Sequence, residues 1–437
     1  MDATQGAGGV TMRRRLRAIF IGSLGNLIEW YDFYAYAAFA LYFAKSFFPE
    51  GDELSQQLNA AVLFAGGFLA RPLGGWLFGH VADRYGRRKS LTISVMVMCF
   101  GSLMIAVCPT FATIGVAAPA LLGAARIIQG ISLGGEYGTS ATYLAEVAGA
   151  KHRGFYSSFQ YVTLIGGQLT AIVVLLLLQK VFLSPDQLRA WGWRIPFAIG
   201  ALLAVFGAVM RRTLFETELF VAEKPEERPQ NSLRALLRYP REVMLVVGLT
   251  MGGTAAFYTY TIYMQKFLKL SVHLTDMQTT MVTAGSLVFA MILQPLYGAL
   301  SDIIGRKALL IGFGVLGTVF TIRILTALHD ASGPLAAFLL IAAAWMIVTG
   351  YTSINAVVKA ELFPTPVRAT GVALPYALTV SIFGGTAEPI ALGFKTLGHE
   401  TWFYWYLTGC IGLSLLVYAT MRDTKRTSRI DAIRSAT

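Results

Sequence analysis

The sequence predicts an all-α integral membrane protein with twelve transmembrane helices in two pseudo-symmetric six-helix bundles. Hydrophobic residues make up 55% of the 437 residues and charged residues only 14%, whereas soluble domains average about 25% charged residues. The apolar residues come in blocks of about 20, the length that crosses roughly 30 Å of hydrocarbon. The segment GHVADRYGRRK at 79–89 returns as GALSDIIGRK at 298–307, half a chain later. Such internal duplication is typical of secondary transporters.

The apolar spans follow one another along the chain with short loops between most of them. They lie near 18–44, 58–80, 89–108, 117–146, 153–180, 192–212, 242–269, 277–301, 308–328, 334–360, 367–395 and 400–421. These spans divide the chain into an N-terminal segment, a first bundle, a linker, a second bundle and a tail, at 1–17, 18–212, 213–241, 242–421 and 422–437. With the N-terminus in the cytoplasm, most of the 36 Lys and Arg fall on the cytoplasmic side, as the positive-inside rule requires. Both termini and the linker, with an amphipathic piece around Leu233–Leu237, are therefore expected there.

Composition and motif content also argue against several classes of protein. The net charge of +12 follows from the positive-inside bias, so no nucleic-acid binding is expected. Three scattered cysteines without a CxxC pair, and five scattered His, predict neither a disulfide framework nor a metal site. No nucleophile triad or phosphate loop is recognisable, so we expect neither an enzyme nor a cofactor. The expected partners are a small anionic substrate, protons and the lipid bilayer, and duplication within one chain predicts a monomer.

Ionisable side chains deep in a span are functional candidates because their burial is costly. Glu29 and Asp32 lie about 16 and 21 Å into the first span at 1.5 Å per residue. They are three residues apart and share one helix face. Two carboxylates in a poorly hydrated site can share a proton, which makes this pair the candidate for proton coupling. The alternative is that one of them forms a permanent salt bridge with an arginine.

Two arginines, Arg71 in the second span and Arg126 in the fourth, lie near the same depth. A guanidinium holds a carboxylate in a planar two-point contact, so this pair could bind both ends of a dicarboxylate. In the alternative, one arginine binds substrate and the other is paired to Asp32. Gln129 lies on the same helix face as Arg126. Other candidates for substrate contact, which could equally be packing residues, are Tyr258, Tyr260, Gln160, Gln168, Tyr376 and Asn355. By contrast, Arg323, Lys359 and Glu388 lie toward span ends and are expected to snorkel or pair locally.

A further set of charges lies at the predicted inner surface. Asp83 and Asp302 are each expected to clasp the end of a neighbouring helix, since an acidic group is favourable at a helix N-terminus. Together they would form a conformational latch with Arg87, Arg88, Glu146, Arg153 and Arg306. The alternative is a purely topological role, in which the basic residues meet anionic lipid head groups.

These motifs resemble those of the major facilitator superfamily. The repeated Asp83 and Asp302 element, RIIQG at 126–130 and ELFPTPVRATG at 361–371 match its inner-loop and fourth-helix patterns. The stretches GNLIEWYDFYAY and RIIQGISLGGEYGTSATYLAEV resemble its metabolite:proton symporter group. The resemblance covers roughly residues 12–425 and implies the major facilitator fold and proton-coupled uptake by alternating access across a bacterial inner membrane. It implies a small dicarboxylate such as alpha-ketoglutarate as substrate, with citrate, shikimate, proline or betaine as alternatives.

Overall fold

The computed structural model describes residues 12–211 and 232–430. Parts of the predicted N-terminal segment, linker and tail, at 1–11, 212–231 and 431–437, lie outside the described residues. Within the described ranges, the side chains of 12–25, Arg87, Glu136, Thr139, Val147, Arg211 and Ser232 are likewise outside the description.

Twelve long helices account for most of the described chain. The first six are α1 Met12–Phe47, α2 Glu53–Tyr85, α3 Arg87–Ala106, α4 Ala117–Val147, α5 Arg153–Leu177 and α6 Ile195–Arg211. The second six are α7 Pro240–Leu270, α8 Asp276–Ile304, α9 Arg306–His329, α10 Pro334–Leu362, α11 Thr365–Thr396 and α12 Thr401–Thr420. Helices α2 to α12 are long and apolar enough to cross a membrane, and the 36-residue α1 contains the predicted first span. The predicted twelve-helix architecture is confirmed.

Glycines allow α2 and α4 to pack backbone against backbone. A methyl group on Gly74 would lie 1.8 Å from the Ile131 carbonyl oxygen, and one on Gly134 would lie 2.0 Å from the Arg71 carbonyl oxygen. Small residues permit such close approach between membrane helices. The backbone that carries Arg71 is therefore fixed against α4.

Four helices are interrupted near the middle of the bundle. Helix α2 breaks at Ala70 before a proline, and α10 breaks between Thr352 and Asn355. Helices α7 and α11 each contain a π-helical turn, at Thr259–Tyr263 and Val380–Gly384. Irregular backbone inside a membrane protein is tolerated where it is buried in protein or lines a pathway. All four interruptions lie within a few residues of a predicted site residue.

Two short segments cover the helix ends near Asp83 and Asp302, which the sequence predicts to be the inner ends. The helix Ser232–Leu236 packs against the inner ends of α2 and α11, where the amphipathic piece was expected. Residues 421–430 fold back beneath α8, α9 and α10: Lys425 Nζ donates to the Asp302 carbonyl oxygen at 2.5 Å, and Arg429 N donates to the Glu361 carbonyl oxygen at 3.0 Å.

Candidate functional site

Asp32 faces the interior of the first bundle. Its carboxylate accepts hydrogen bonds from Gln129 Nε2 at 3.0 Å and from the Ser102 hydroxyl. Gln129 Oε1 accepts in turn from Arg126 Nη1 at 2.5 Å. A methyl group on Gly200 would lie 2.1 Å from Asp32 Oδ1, so α6 packs directly against the carboxylate. Arg126 therefore connects to Asp32 through the Gln129 amide, and among the described side chains no arginine forms a direct ion pair with Asp32.

Aromatic rings hold both guanidinium groups in position. The Arg126 guanidinium carbon lies 4.2 Å from the Phe33 ring centroid and 4.5 Å from that of Tyr36. The Arg71 guanidinium carbon lies 4.5 Å from the Phe68 centroid and 5.4 Å from the Phe33 centroid. Each such contact contributes about 0.5–2 kcal/mol. Phe33 thus contacts both buried guanidinium groups.

Arg71 lies where the two bundles meet. Its Nη1 donates to the Tyr258 hydroxyl of α7 at 3.2 Å, and the residue is 1% exposed. In the described part of the chain, Arg71 Nη2 has no hydrogen-bond partner and no carboxylate forms an ion pair with Arg71 within 4.0 Å. The structure therefore brings together two residues predicted to contact substrate, and leaves one edge of the guanidinium available for an anion.

A second polar cluster lies deeper toward the inner face. The Tyr137 and Tyr376 rings stack with centroids 3.7 Å apart, and the Tyr137 hydroxyl donates to Asn355 Oδ1 at 2.6 Å. Lys359 Nζ donates to the same Asn355 oxygen at 2.8 Å and to the Tyr137 hydroxyl at 3.3 Å. It also lies 3.8 Å from the Tyr376 ring centroid. Asn355 and Tyr376 were predicted from the sequence, whereas Tyr137 and Lys359 were missed.

The expectation that Lys359 snorkels from a span end is wrong, although it does bond locally to Asn355. Lys359 is fully buried. The interruption before Asn355 starts a new helical segment, and side chains on a helix lean toward its N-terminus, here into the bundle. The spacing of Asn355 and Lys359, four residues apart on one helix face, was the signal available in the sequence.

The remaining predicted residues lie elsewhere in the bundle. Gln160 lies inside the first half, where its Oε1 accepts a hydrogen bond from Ser140 at 2.8 Å. Glu29 is fully buried and interacts with neighbouring groups. Gln168 Nε2 donates across the two halves to the Thr261 carbonyl oxygen. Tyr260 is buried on the π-turn of α7, away from the described contacts of Arg71 and Lys359.

At the inner face, two aspartates bind helix starts in a pseudo-symmetric way. Asp83 of α2 accepts from Thr370 N at 3.1 Å and from the Thr370 hydroxyl at 2.5 Å, near the start of α11. Asp302 of α8 accepts from Gly154 N at 2.8 Å and Phe155 N at 2.9 Å, at the start of α5. Each aspartate therefore connects its own half to the opposite half.

Ion pairs reinforce these contacts with the same symmetry. Glu146 Oε1 lies 2.8 Å from Arg368 Nη1, and Glu361 Oε1 lies 3.6 Å from both Arg153 Nη1 and Arg306 Nη2. Glu361 and Arg368 were not among the predicted latch residues. Their spacing of seven residues, identical to that of Glu146 and Arg153, was the overlooked signal.

Two further predicted members of the latch, Arg87 and Arg88, lie at the start of α3. Arg88 is exposed at the start of α3. The Arg87 side chain lies outside the described residues.

Contacts close the bundle on both sides of the central cluster. On the inner side the halves are joined by the Asp83 and Asp302 contacts and by the ion pairs of Glu146 and Glu361. On the outer side, the Gln168 contact is joined by the Ser381 hydroxyl, which donates to the Phe68 carbonyl oxygen. Arg71, Tyr258, Tyr376 and Lys359 are each at most 2% exposed. The conformation is therefore occluded.

Comparison with known proteins agrees with this architecture. The family model described as "Sugar (and other) transporter" matches residues 18–236 and 221–431. The alpha-ketoglutarate permease of Escherichia coli (strain K12) is 52% identical over 93% of both chains. The citrate-proton symporter of Salmonella typhi is 33% identical over 92% of this chain and 93% of its own. A solved major facilitator superfamily proton:xylose symporter superposes with a TM-score of 0.76 at 20% identity, covering 96% of this chain and 99% of that one, which supports the fold.

Proposed function

Because this chain belongs to the sugar (and other) transporter family of the major facilitator superfamily, we propose that it is a proton-coupled importer of a small dicarboxylate, alpha-ketoglutarate first among them. It is a multi-pass membrane transporter and not an enzyme. The choice of substrate rests on the E. coli permease, which matches this chain far more closely than the citrate-proton symporter does. Citrate and the zwitterions proline and betaine are the competing substrates.

The observation that carries the proposal is the Arg71 guanidinium. It is buried between the two halves, hydrogen-bonded to Tyr258 of the opposite half, and has no ion-pair partner among the described side chains. A buried charge without a partner is unfavourable, and polar groups at the midplane between repeats are typical substrate contacts. A carboxylate of the substrate would supply the missing counter-charge. We assign Tyr258, Tyr376 and Asn355 to the same site.

Coupling to protons is proposed to use Asp32 and Glu29. A dianion that enters with one proton carries a net negative charge against an inside-negative potential, which costs about 2.3 kcal/mol per 100 mV. Two protons make the step electrically neutral. Both acids are fully buried, and Asp32 connects through Gln129 to Arg126, one ring away from Arg71. This connection supports a role for Arg126 in coupling more than in substrate contact, with Gln129 as the link.

The location in the cell follows from the same family membership and from the charge distribution. We propose a monomer in the bacterial inner membrane, with both termini cytoplasmic and the latch at the cytoplasmic face. The abundance of Lys and Arg on that side supports this orientation.

The test of function is uptake of labelled alpha-ketoglutarate into proteoliposomes under an imposed inward proton gradient. We expect accumulation that depends on the gradient and is suppressed by unlabelled dicarboxylates but not by proline. Collapse of the gradient with a protonophore is the control. Gradient-driven accumulation of citrate or proline in its place would overturn the substrate and keep the transporter class.

The latch is proposed to hold the inner face closed, so breaking one pair should open it. The Glu146→Gln variant leaves Arg368 buried without one of its carboxylate contacts, and removing one partner of a buried ion pair costs about 3–5 kcal/mol. We expect a cysteine introduced at Ser158, which is buried beside α8, to react with an inner-face maleimide at least about tenfold faster in this variant, in a background without native cysteines.

The matched control is Glu242→Gln, which breaks the more exposed pair with Arg429. Exposed pairs contribute only about 0–1 kcal/mol, so little change in labelling is expected. Equal labelling of the Glu146→Gln variant and its parent would contradict the latch.

A further inference from the structure

Lys359 is a buried lysine between the two halves of the protein that the proton-coupling scheme does not use. Its polar and aromatic neighbours among the described side chains, Asn355, Tyr137, Tyr376 and Tyr351, are all uncharged. In the described part of the chain, no carboxylate forms an ion pair with Lys359 within 4.0 Å. A charge buried this deeply in a membrane protein marks a functional site by default.

The neighbours of Lys359 compensate its charge only in part. The Asn355 oxygen and the Tyr137 hydroxyl are neutral acceptors, and the Tyr376 ring offers its electron-rich face at 3.8 Å. Interactions of this kind are weaker than the desolvation penalty of a buried cation. An anion that enters beside Lys359 would supply the missing part. Lys359, like Arg71, therefore has no ion-pair partner among the described side chains.

Arg71 and Lys359 belong to opposite halves, and both connect to α11. Arg71 donates to Tyr258 of α7, which packs against the part of α11 that carries Tyr376, and Lys359 lies over the Tyr376 ring. The Asp83 bond to Thr370 aligns the inner ends of α2 and α11. From that bond, at 1.5 Å per residue, Arg71 lies about 18 Å and Tyr376 about 9 Å farther into the bundle. Along the membrane normal, the backbone of Arg71 and that of Tyr376, whose ring Lys359 contacts, are therefore separated by roughly 9 Å.

We propose that Lys359 binds the second carboxylate of the substrate, so that Arg71 and Lys359 together select anions with two charged ends. This inference rests on the proposed function and adds to it the basis of selectivity. A separation of roughly one and a half helical turns suits a five-carbon dicarboxylate that hydrogen-bonds at both ends. A monocarboxylate would compensate Arg71 and leave Lys359 as it is.

The arrangement also gives each half of the transporter one contact with the substrate. Arg71 belongs to the first half and Lys359 to the second, and the cluster of Tyr137, Asn355 and Tyr376 is itself shared between α4, α10 and α11. A dianion bound at both cations would draw the halves together around itself. Closure around a ligand with one charged end would leave one cation uncompensated, which penalises its transport.

The test compares alpha-ketoglutarate with 2-oxovalerate, which has the same chain length and lacks the far carboxylate. Equilibrium binding of labelled alpha-ketoglutarate to the purified full-length protein is measured, with both compounds as competitors. In Lys359→Met we expect affinity for alpha-ketoglutarate to fall about 30-fold or more, and the affinity for 2-oxovalerate to change less than about twofold. Lys359→Arg should restore most of the difference in affinity between alpha-ketoglutarate and 2-oxovalerate. Lys180→Met, the same change at an exposed lysine, is the matched control.

A second variant makes the test independent of how well Lys359→Met folds. Asn355→Asp places a carboxylate where the Asn355 oxygen already meets Lys359 at 2.8 Å. The internal ion pair should leave the protein folded. It should weaken the binding of alpha-ketoglutarate more than that of 2-oxovalerate, as Lys359→Met does.

Equal loss of mono- and dicarboxylate binding in both variants, or unchanged alpha-ketoglutarate affinity in either, would overturn the role of Lys359. Failure of the proposed function has a different signature: the unmodified protein itself would neither bind nor accumulate alpha-ketoglutarate.

Discussion

Replacing Arg71 by methionine is expected to abolish uptake of the dicarboxylate while leaving the protein folded in the membrane. The guanidinium forms no ion pair with the described side chains, so its removal leaves no protein carboxylate uncompensated there. Methionine has a flexible, apolar chain that can remain among the rings of Trp30, Phe33 and Phe68. The bound substrate, however, loses a buried counter-ion, at a cost of about 2–5 kcal/mol.

Initial uptake at low substrate concentration should therefore fall about 100-fold or more in Arg71→Met. Arg71→Lys should recover part of the activity, because it keeps the charge and loses the planar two-point contact. Arg189→Met, at a largely exposed outer arginine, is the control for expression and reconstitution. Uptake by Arg71→Met within about threefold of the parent would rule out Arg71 as the principal anion contact.

Replacing Asp32 by asparagine should separate transport from its driving force. Asparagine has the shape of a permanently protonated aspartate and can still accept the hydrogen bond from Gln129. We expect proton-driven accumulation to be lost and exchange of internal for external substrate to continue at a rate within about threefold of the parent. The two are measured in the same proteoliposomes, with and without an imposed gradient.

Glu29→Gln is the comparison that shows whether both acids take part in coupling. With both acids carrying protons, Glu29→Gln loses accumulation as Asp32→Asn does, and accumulation retained in either variant would contradict the role proposed for that acid. Asp52→Asn outside the membrane is the control. Hydrogen bonds from Ser55 hold the pKa of Asp52 below its usual value, so Asp52 is ionised throughout the assay range, and this control also removes a negative charge.

Much of the fold could be predicted because a membrane imposes simple rules on sequence. Helices must be apolar over about 20 residues, so all twelve spans were visible. The duplication was visible in the repeated Asp83 and Asp302 segments. The latch residues Glu361 and Arg368 were harder to predict. They become visible only when the second half is searched for the seven-residue spacing that Glu146 and Arg153 have in the first half.

The site was harder to predict, since depth was judged from distance along a span. That measure favoured Arg71 and Arg126 and misjudged Lys359, whose depth depends on a helix interruption and on the direction of its side chain. It also gave no basis for distinguishing the two arginines. Their different neighbours, Tyr258 of the opposite half for one and Gln129 of its own helix for the other, arise from packing between helices distant in sequence.

The hydrogen bonds that the segment after α12 makes at the inner face can form only late in synthesis. Thr424 donates to Glu361 Oε2 at 2.7 Å, Asp423 accepts from Arg306 N at 3.1 Å, and Ser428 accepts from Arg153 at 3.2 Å. These residues leave the ribosome only after every membrane helix has been made. A nascent chain can therefore insert all twelve helices and still lack these hydrogen bonds around Glu361, so the segment after α12 adds its contacts to a bundle whose helices are already made.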